Sequence, residues 1–77
     1  MLDAVLVGQV IQEIRQKKDL SQEVVSGLAG IGRTHLSAIE RGERKPTLDT
    51  FFKISYALRI HPWELAKQIE DKIDYEP

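Results

Sequence analysis

The sequence predicts an all-α fold made of five short helices packed into one compact domain, residues 1–77. Three observations support this prediction. Apolar residues recur at helical spacing, no stretch alternates apolar and polar residues as a half-buried strand does, and glycines, prolines and capping residues separate the helical stretches. A hydrophobic content of 42% beside 30% charged residues is typical of a folded globule.

The first helix is expected over about residues 4–17. Its apolar stripe follows the spacing i, i+3, i+4 and i+7 and consists of Val7, Val10, Ile11 and Ile14. Asp3 can cap its N-terminus, because its carboxylate can accept a hydrogen bond from a free backbone N–H group. Gly8 lies inside this helix and is expected to weaken it by up to ~1 kcal/mol relative to alanine.

The second and third helices are expected to be joined by a very short link. Ser21 is a good N-cap for the second helix, and Gly30 ends it. We expect its inner face to consist of Val25, Leu28 and Ala29. The third helix is expected to begin at Arg33, with Gly32 as its N-cap, and to end at Gly42. So short a link forces a sharp crossing, which predicts a helix-turn-helix at about residues 21–41.

The fourth and fifth helices follow a polar loop. Thr47 is expected to cap the fourth helix, and His61-Pro62 to open the fifth. One side of the fourth helix consists of Leu48, Phe51, Phe52, Ser55 and Leu58. At four helix starts an apolar residue precedes the cap at the spacing that lets it pack on the fourth helical residue. These pairs are Leu20 with Val25, Ile31 with Leu36, Pro46 with Phe51, and Ile60 with Leu65.

The outer face of the third helix is suited to a DNA groove. At 100° per residue Leu36 and Ile39 face the core. The opposite arc has no acidic residue and consists of Arg33, Thr34, Ser37, Ala38 and Arg41. Arginine can bind a guanine edge, hydroxyls can bind bases or phosphates, and alanine permits close approach. An ordinary solvated face remains an alternative. His35 lies at the border and is either partly buried or in contact with DNA.

The charge distribution is uneven but does not decide the function. The net charge is −1. Residues 15–63 carry +4, whereas residues 1–14 carry −2 and residues 64–77, which include an acidic tail at 70–77, carry −3. A positive middle segment can attract a polyanion locally. A mixed solvated surface explains the same pattern.

The composition argues against several classes of function. The chain has no cysteine and only two separated histidines, so it predicts no disulfide and no metal site. It contains no recognisable nucleophile signature and no Walker loop, and Gly30-Ile31-Gly32 lacks the third glycine of a dinucleotide loop. We therefore expect no enzyme and no cofactor. Without a signal peptide or a long apolar run, a soluble cytoplasmic protein with no membrane contact is expected.

Residues 21–42 resemble the helix-turn-helix of the phage repressor and Cro type, also called the Xre family. The likeness extends over about residues 9–69. Its most diagnostic segments are Ser21-Gln22-Glu23, Gly30-Ile31 and Ile39-Glu40-Arg41-Gly42, followed by Lys45-Pro46-Thr47. Residues 33–37 further resemble the recognition helix of restriction–modification controller proteins. The resemblance implies a lambda-repressor-like domain that binds double-stranded DNA and regulates transcription, encoded by a bacterium or a phage and associated with the nucleoid when bound.

The resemblance also implies roles for individual residues. The base-contacting positions are matched by Arg33, Thr34, Ser37 and Ala38. The positions that contact the DNA backbone are matched by Gln22, His35, Arg41, Arg44 and Lys45. Arg15 and Glu40 match an ion pair that locks the third helix to the rest of the domain.

Proteins of this type act as homodimers on pseudo-palindromic operators, so a dimer face is expected. The candidate is the fifth helix with the tail, whose apolar residues exceed what a small core can obviously absorb: Trp63, Leu65, Ala66, Ile69, Ile73 and Tyr75. Alternatively, Leu65 and Ile69 belong to the core. Two other functions stay open, namely an antitoxin-like module that binds a second protein and a domain that has kept the fold without DNA binding.

Overall fold

A computed structural model describes residues 2–73, and this part of the chain folds into five helices without a strand. The helices are α1 (Ala4–Lys17), α2 (Gln22–Ala29), α3 (Arg33–Glu40), α4 (Leu48–Ala57) and α5 (Pro62–Asp71). The predicted all-α class, the number of helices and the short α2–α3 link are confirmed.

The helices begin where the capping residues predict. At three starts the side chain of the cap accepts a hydrogen bond from a backbone N–H group of the first turn: Asp3 from Val5 at 2.9 Å, Ser21 from Val24 at 3.1 Å, and Thr47 from Thr50 at 3.1 Å. Gly32 starts α3 without such a bond, and Pro62 is the first residue of α5. Local hydrogen bonding therefore determines these boundaries.

Four helices end through a residue in the left-handed backbone conformation. The predicted glycines do so at Gly30 (φ 70°) and Gly42 (φ 78°). Asp19 (φ 55°) and Arg59 (φ 61°) do the same after α1 and α4, which the sequence did not indicate. The reason is that only glycine adopts this conformation without a steric penalty, so a non-glycine residue gives no signal for it.

The core is built from buried residues of all five helices. It contains Val7, Val10, Ile11, Ile14, Val25, Ala29, Leu36, Ile39, Ile54, Ala57, Leu58, Leu65 and Ile69. The predicted stripe of α1 is buried, and α1 packs against α3 and α5 while α2 packs against α3 and α4. Four residues of the predicted packing pairs are partly buried against this core, namely Leu20, Ile31, Phe51 and Ile60.

The predicted inner face of α2 is partly wrong, and the predicted apolar side of α4 is only partly buried. Leu28 is exposed, because Val25 and Ala29, one turn apart, fill the contact of α2 with its neighbours. On α4, Leu48 and Phe52 are exposed as well. This helix has apolar residues on two sides, so periodicity alone does not decide which side packs inward.

Gly8 has a role that helix propensity did not reveal. It is buried where α1 crosses α3, and a Cβ atom at this position would lie 2.2 Å from the carbonyl oxygen of Ile39 and 2.7 Å from that of Glu40. Both neighbours are backbone atoms, which cannot rotate away. The absence of a side chain at Gly8 is thus what lets α1 approach the end of α3.

Leu65 and Ile69 belong to the core, so the prediction that they form a dimer interface is wrong. Their side chains are buried because α5 uses this i, i+4 pair to pack on the rest of the domain. Trp63 and Ala66 are exposed and Ile73 is half-buried. Tyr75 and the tail from residue 74 onwards lie outside the described residues.

Two further observations concern residues 2–73 alone. No helix in this range is long and apolar enough to cross a membrane. The same range contains no group of three or more side chains that could hold a metal ion.

Candidate nucleic-acid interface

The structure orients α3 as its amphipathic pattern predicts. Leu36 and Ile39 are completely buried beneath the helix. Arg33 and Thr34 are exposed on the other side, and Ser37 and Ala38 are half-buried there. The predicted outward face of α3 is therefore confirmed, with its guanidinium and hydroxyl groups on the outside.

The turn before α3 determines the angle between the two helices of the motif. Gly30 adopts a positive φ, and the backbone N–H groups of Gly30 and Ile31 donate to the carbonyl oxygens of Gly27 and Ser26 at 3.2 and 3.0 Å. This pattern closes the C-terminus of α2, and Ile31 packs against the core. Only residues 30–32 separate α2 from α3, and the two helices pack against each other.

The Arg15–Glu40 ion pair attaches the end of α3 to α1. Arg15 Nε lies 2.7 Å from Glu40 Oε2, and Arg15 Nη2 lies 3.0 Å from Oε1. Arg15 Nη1 also donates to the carbonyl oxygen of Leu20 at 2.8 Å. The two side chains are only 11% and 1% exposed. Such a two-point, partly buried pair can hold α3 in position.

Gln22, predicted to contact the DNA backbone, also joins this network. Its amide nitrogen donates to Glu40 Oε1 at 3.0 Å. Because an amide carries two N–H bonds, Glu40 uses one donor of Gln22 and orients the side chain, while a second N–H bond remains for another acceptor. Sequence reasoning missed this contact, since Gln22 and Glu40 meet only where α2 crosses α3.

A second cluster of polar side chains lies at the end of α3. Arg41 Nε is 2.5 Å from Glu43 Oε2 and its Nη2 is 3.3 Å from Oε1, while its Nη1 donates to Ser37 Oγ. The hydrogen bonds from Arg41, and then its charge, hold the pKa of Glu43 below its usual value, and Glu43 raises the pKa of Arg41 in the same way. From the sequence, Glu43 is predicted only to lie in the polar loop before the fourth helix.

The remaining predicted backbone contacts are accessible. Arg44 and Lys45 are exposed in the loop that joins α3 to α4. His35 is half-buried on α3, which is compatible with both interpretations of this residue. The structure thus places the predicted DNA-contacting residues on the second and third helices and on the loop that follows them.

Comparison with known proteins identifies the family. A sequence-family model described as "Helix-turn-helix" matches residues 11–69. The control protein C.BamHI of Bacillus amyloliquefaciens is 43% identical over 61 residues, which cover 78% of this chain and 75% of C.BamHI. The crystal structure of the restriction-modification controller protein C.AhdI from Aeromonas hydrophila superposes with a TM-score of 0.79 and 40% identity, covering 84% of this chain and 98% of C.AhdI.

A further solved structure contains DNA. A mutant of the controller protein C.Esp1396I, bound to its highest affinity operator site, matches with a TM-score of 0.84 and 25% identity and covers 92% of this chain and 93% of that one. These matches confirm the expected fold and the resemblance to controller proteins. The chain therefore belongs to the helix-turn-helix family of DNA-binding transcriptional regulators, which are not enzymes, and is similar to the restriction–modification controller proteins within it.

Proposed function

We propose that this protein is a sequence-specific regulator of transcription that binds a pseudo-palindromic operator as a homodimer, in the bacterial cytoplasm and in association with the nucleoid. The observation that carries the proposal is the outward face of α3, seated by the buried Leu36 and Ile39. Each copy would place this face in the major groove, with the two half-sites about one helical turn, ~34 Å, apart.

The side chains of α3 have the chemistry that base recognition requires. The guanidinium of Arg33 can donate to both acceptors of a guanine edge, and the hydroxyls of Thr34 and Ser37 can bind bases or phosphates. Ala38 is small enough to let the helix come close and can touch a thymine methyl group. These four residues supply the selectivity in this proposal.

Contacts to phosphate would set the position of α3 on the duplex. The candidates are Gln22, His35, Arg41, Arg44 and Lys45. Gln22 stands at the N-terminus of α2, where free N–H groups favour an anion. The ion pair of Arg15 and Glu40 would keep α3 at a constant angle to these contacts.

The first experiment selects bound sites from random duplexes and then tests Arg33→Ala on the selected operator. We expect this variant to lose about 1–3 kcal/mol of binding free energy on the operator and much less on a scrambled duplex, because Arg33 would contact a base. Arg44→Ala is the matched control, since loss of a phosphate contact should weaken both duplexes alike and reduce the salt slope by about one unit. Equal losses on both duplexes for Arg33→Ala would exclude it as a base contact.

A dimer requires a surface, and an exposed apolar stripe on α4 supports the proposal of one. Leu48, Phe52 and Tyr56 are exposed at i, i+4 and i+8 and so form one apolar stripe. Leu48 also borders a groove that reaches Ala66 on α5. Exposed apolar side chains that are contiguous mark interaction surfaces. We propose this stripe, together with Ala66, Trp63 and Ile73 from the predicted face, as the contact with a second copy.

Phe52→Glu tests the dimer. A charge in the middle of the stripe is expected to raise the dimer dissociation constant by about tenfold or more, because a carboxylate would be buried without a partner. Sedimentation velocity measures the change, and circular dichroism checks that the fold is intact. Leu28→Glu is the control, since Leu28 is exposed on α2 outside the stripe. If Phe52→Glu dimerises as well as the parent protein, this dimer face is wrong.

An antitoxin-like role is the second candidate function. Val24 and Leu28 are both exposed on α2, outside the α4 stripe, and could contact a second protein. Co-purification distinguishes the two functions. A stoichiometric second protein supports the antitoxin-like role, whereas a self-dimer that shifts its own upstream DNA supports the regulator.

A further inference from the structure

The turn after α3 holds Glu43 in a defined place. Gly42 adopts φ 78°, and the backbone N–H of Glu43 donates to the carbonyl oxygen of Ala38 at 2.9 Å. A Cβ at Gly42 would lie 2.7 Å from Val5 Cα, so the turn also packs closely on α1. The backbone of Glu43 is therefore tied to the last turn of α3 by local geometry.

The carboxylate of Glu43 binds Arg41 as a phosphate would. It contacts Nε of Arg41 at 2.5 Å and Nη2 at 3.3 Å, while Nη1 of the same guanidinium donates to Ser37. Arginine binds phosphate oxygens through the same two-point arrangement. In the free protein, therefore, the Glu43 carboxylate holds Arg41, a proposed phosphate contact. Arg41 in turn binds the hydroxyl of Ser37, a proposed base contact.

The Arg41–Glu43 ion pair can exchange its partners, whereas the Arg15–Glu40 pair at the same end of α3 cannot. The side chains of Arg41 and Glu43 are 55% and 58% exposed, so solvent screens their attraction and competing anions can reach the guanidinium. The Arg15–Glu40 pair is nearly buried and holds the fold together. The other three ion pairs within residues 2–73 include no residue proposed to contact DNA.

We infer that Glu43 sets the affinity for DNA by competing with phosphate for Arg41. This inference rests on the proposed function. When a duplex binds, a phosphate takes the place of the carboxylate on Arg41, and Glu43 is left without its partner beside the DNA backbone. This competition weakens binding to every duplex, because phosphates carry no sequence information. Arg41 also donates to the hydroxyl of Ser37 through Nη1, so the phosphate contact lies directly beside a proposed base contact.

The test is a double-mutant cycle of Glu43→Gln and Arg41→Ala, read as dissociation constants for the selected operator and a scrambled duplex. Glu43→Gln is expected to tighten binding to both by about twofold to fivefold, as for removal of an exposed ion pair. Asp49→Asn, which removes the same charge from the exposed Asp49–Lys53 pair, is the control and should give a smaller gain. In the Arg41→Ala background, Glu43→Gln should tighten binding by no more than Asp49→Asn does.

Two results would overturn the inference. If Glu43→Gln tightened DNA binding equally with and without Arg41, general repulsion between Glu43 and the DNA would explain the whole change in affinity. Weaker binding by Glu43→Gln would mean that the carboxylate positions Arg41 for the phosphate.

The failure of the proposed function would look different, since the parent protein would then not prefer its selected operator and Arg33→Ala would change nothing. In the free protein, a carboxyl carbon titration by nuclear magnetic resonance shows whether the pKa of Glu43 returns towards its usual value in Arg41→Ala, as this contact requires.

Discussion

Glu40→Ala is expected to lower the free energy of unfolding by about 3–5 kcal/mol, because it leaves a nearly buried guanidinium without its anion. The carboxylate of Glu40 is 1% exposed and accepts hydrogen bonds from Arg15 at 2.7 and 3.0 Å and from Gln22 at 3.0 Å. A domain of this size is stabilised by roughly 4–12 kcal/mol in total, so the loss is a large fraction of the whole. Urea denaturation followed by circular dichroism measures it.

Glu43→Ala is the matched control for this experiment. It removes a carboxylate just beyond the same end of α3, but one that is exposed, and we expect little change in stability. A cycle that combines Arg15→Ala with Glu40→Ala then measures the coupling of the pair. Coupling near zero would show that the ion pair does not hold α3 to α1. With strong coupling, loss of Glu40 should also weaken operator binding, because the orientation of α3 and Gln22 depends on it.

Gly8→Ala is expected to destabilise the protein by about 3 kcal/mol, at the upper end of the range for overpacked cores. Helix propensity alone predicts the opposite, a gain of up to ~1 kcal/mol. The difference arises because the added methyl group would lie 2.2 Å from the carbonyl oxygen of Ile39, so α1 and α3 must move apart. The sign of the change in the urea midpoint decides between the two effects.

Gly27→Ala is the control for Gly8→Ala. Gly27 is exposed in α2, and apart from its chain neighbours and the backbone of its own helix no heavy atom among residues 2–73 lies within 4 Å of a Cβ placed there. Here the propensity term acts alone, and a stabilisation of about 0.5–1 kcal/mol is expected. If both substitutions stabilise the protein, the close approach of α1 to α3 at Gly8 is wrong. Opposite signs would show that tertiary contact outweighs propensity at one glycine and not at the other.

The outward face of α3 could be predicted from the sequence because its determinants are local. Leu36 and Ile39 are the two large apolar residues of the helix, and burying them turns Arg33 and Thr34 outward whichever helices cover the other side. The apolar residues of α4 lie on two sides of the helix, so their spacing does not decide which side is buried. Phe52 lies on an apolar side of α4 that periodicity allowed to be inner, and the structure leaves it exposed.

The site was only partly predictable for the same reason. Arg15 and Glu40 came together as the family resemblance implied. Gln22 on Glu40 and Glu43 on Arg41 were not predicted. The first contact depends on the angle between α2 and α3, and the second on a turn whose geometry no helical pattern describes.

The sequence by itself determined the five helices, their caps and the polar outer side of the third, because each of these depends on residues within about one turn of one another. Only the tertiary structure decided that Leu65 and Ile69 are core residues, that Gly8 is a contact point and that Gln22 meets Glu40. These features depend on where one helix or turn meets another. Such distances are set by the packing of the whole chain and leave no pattern in the local sequence.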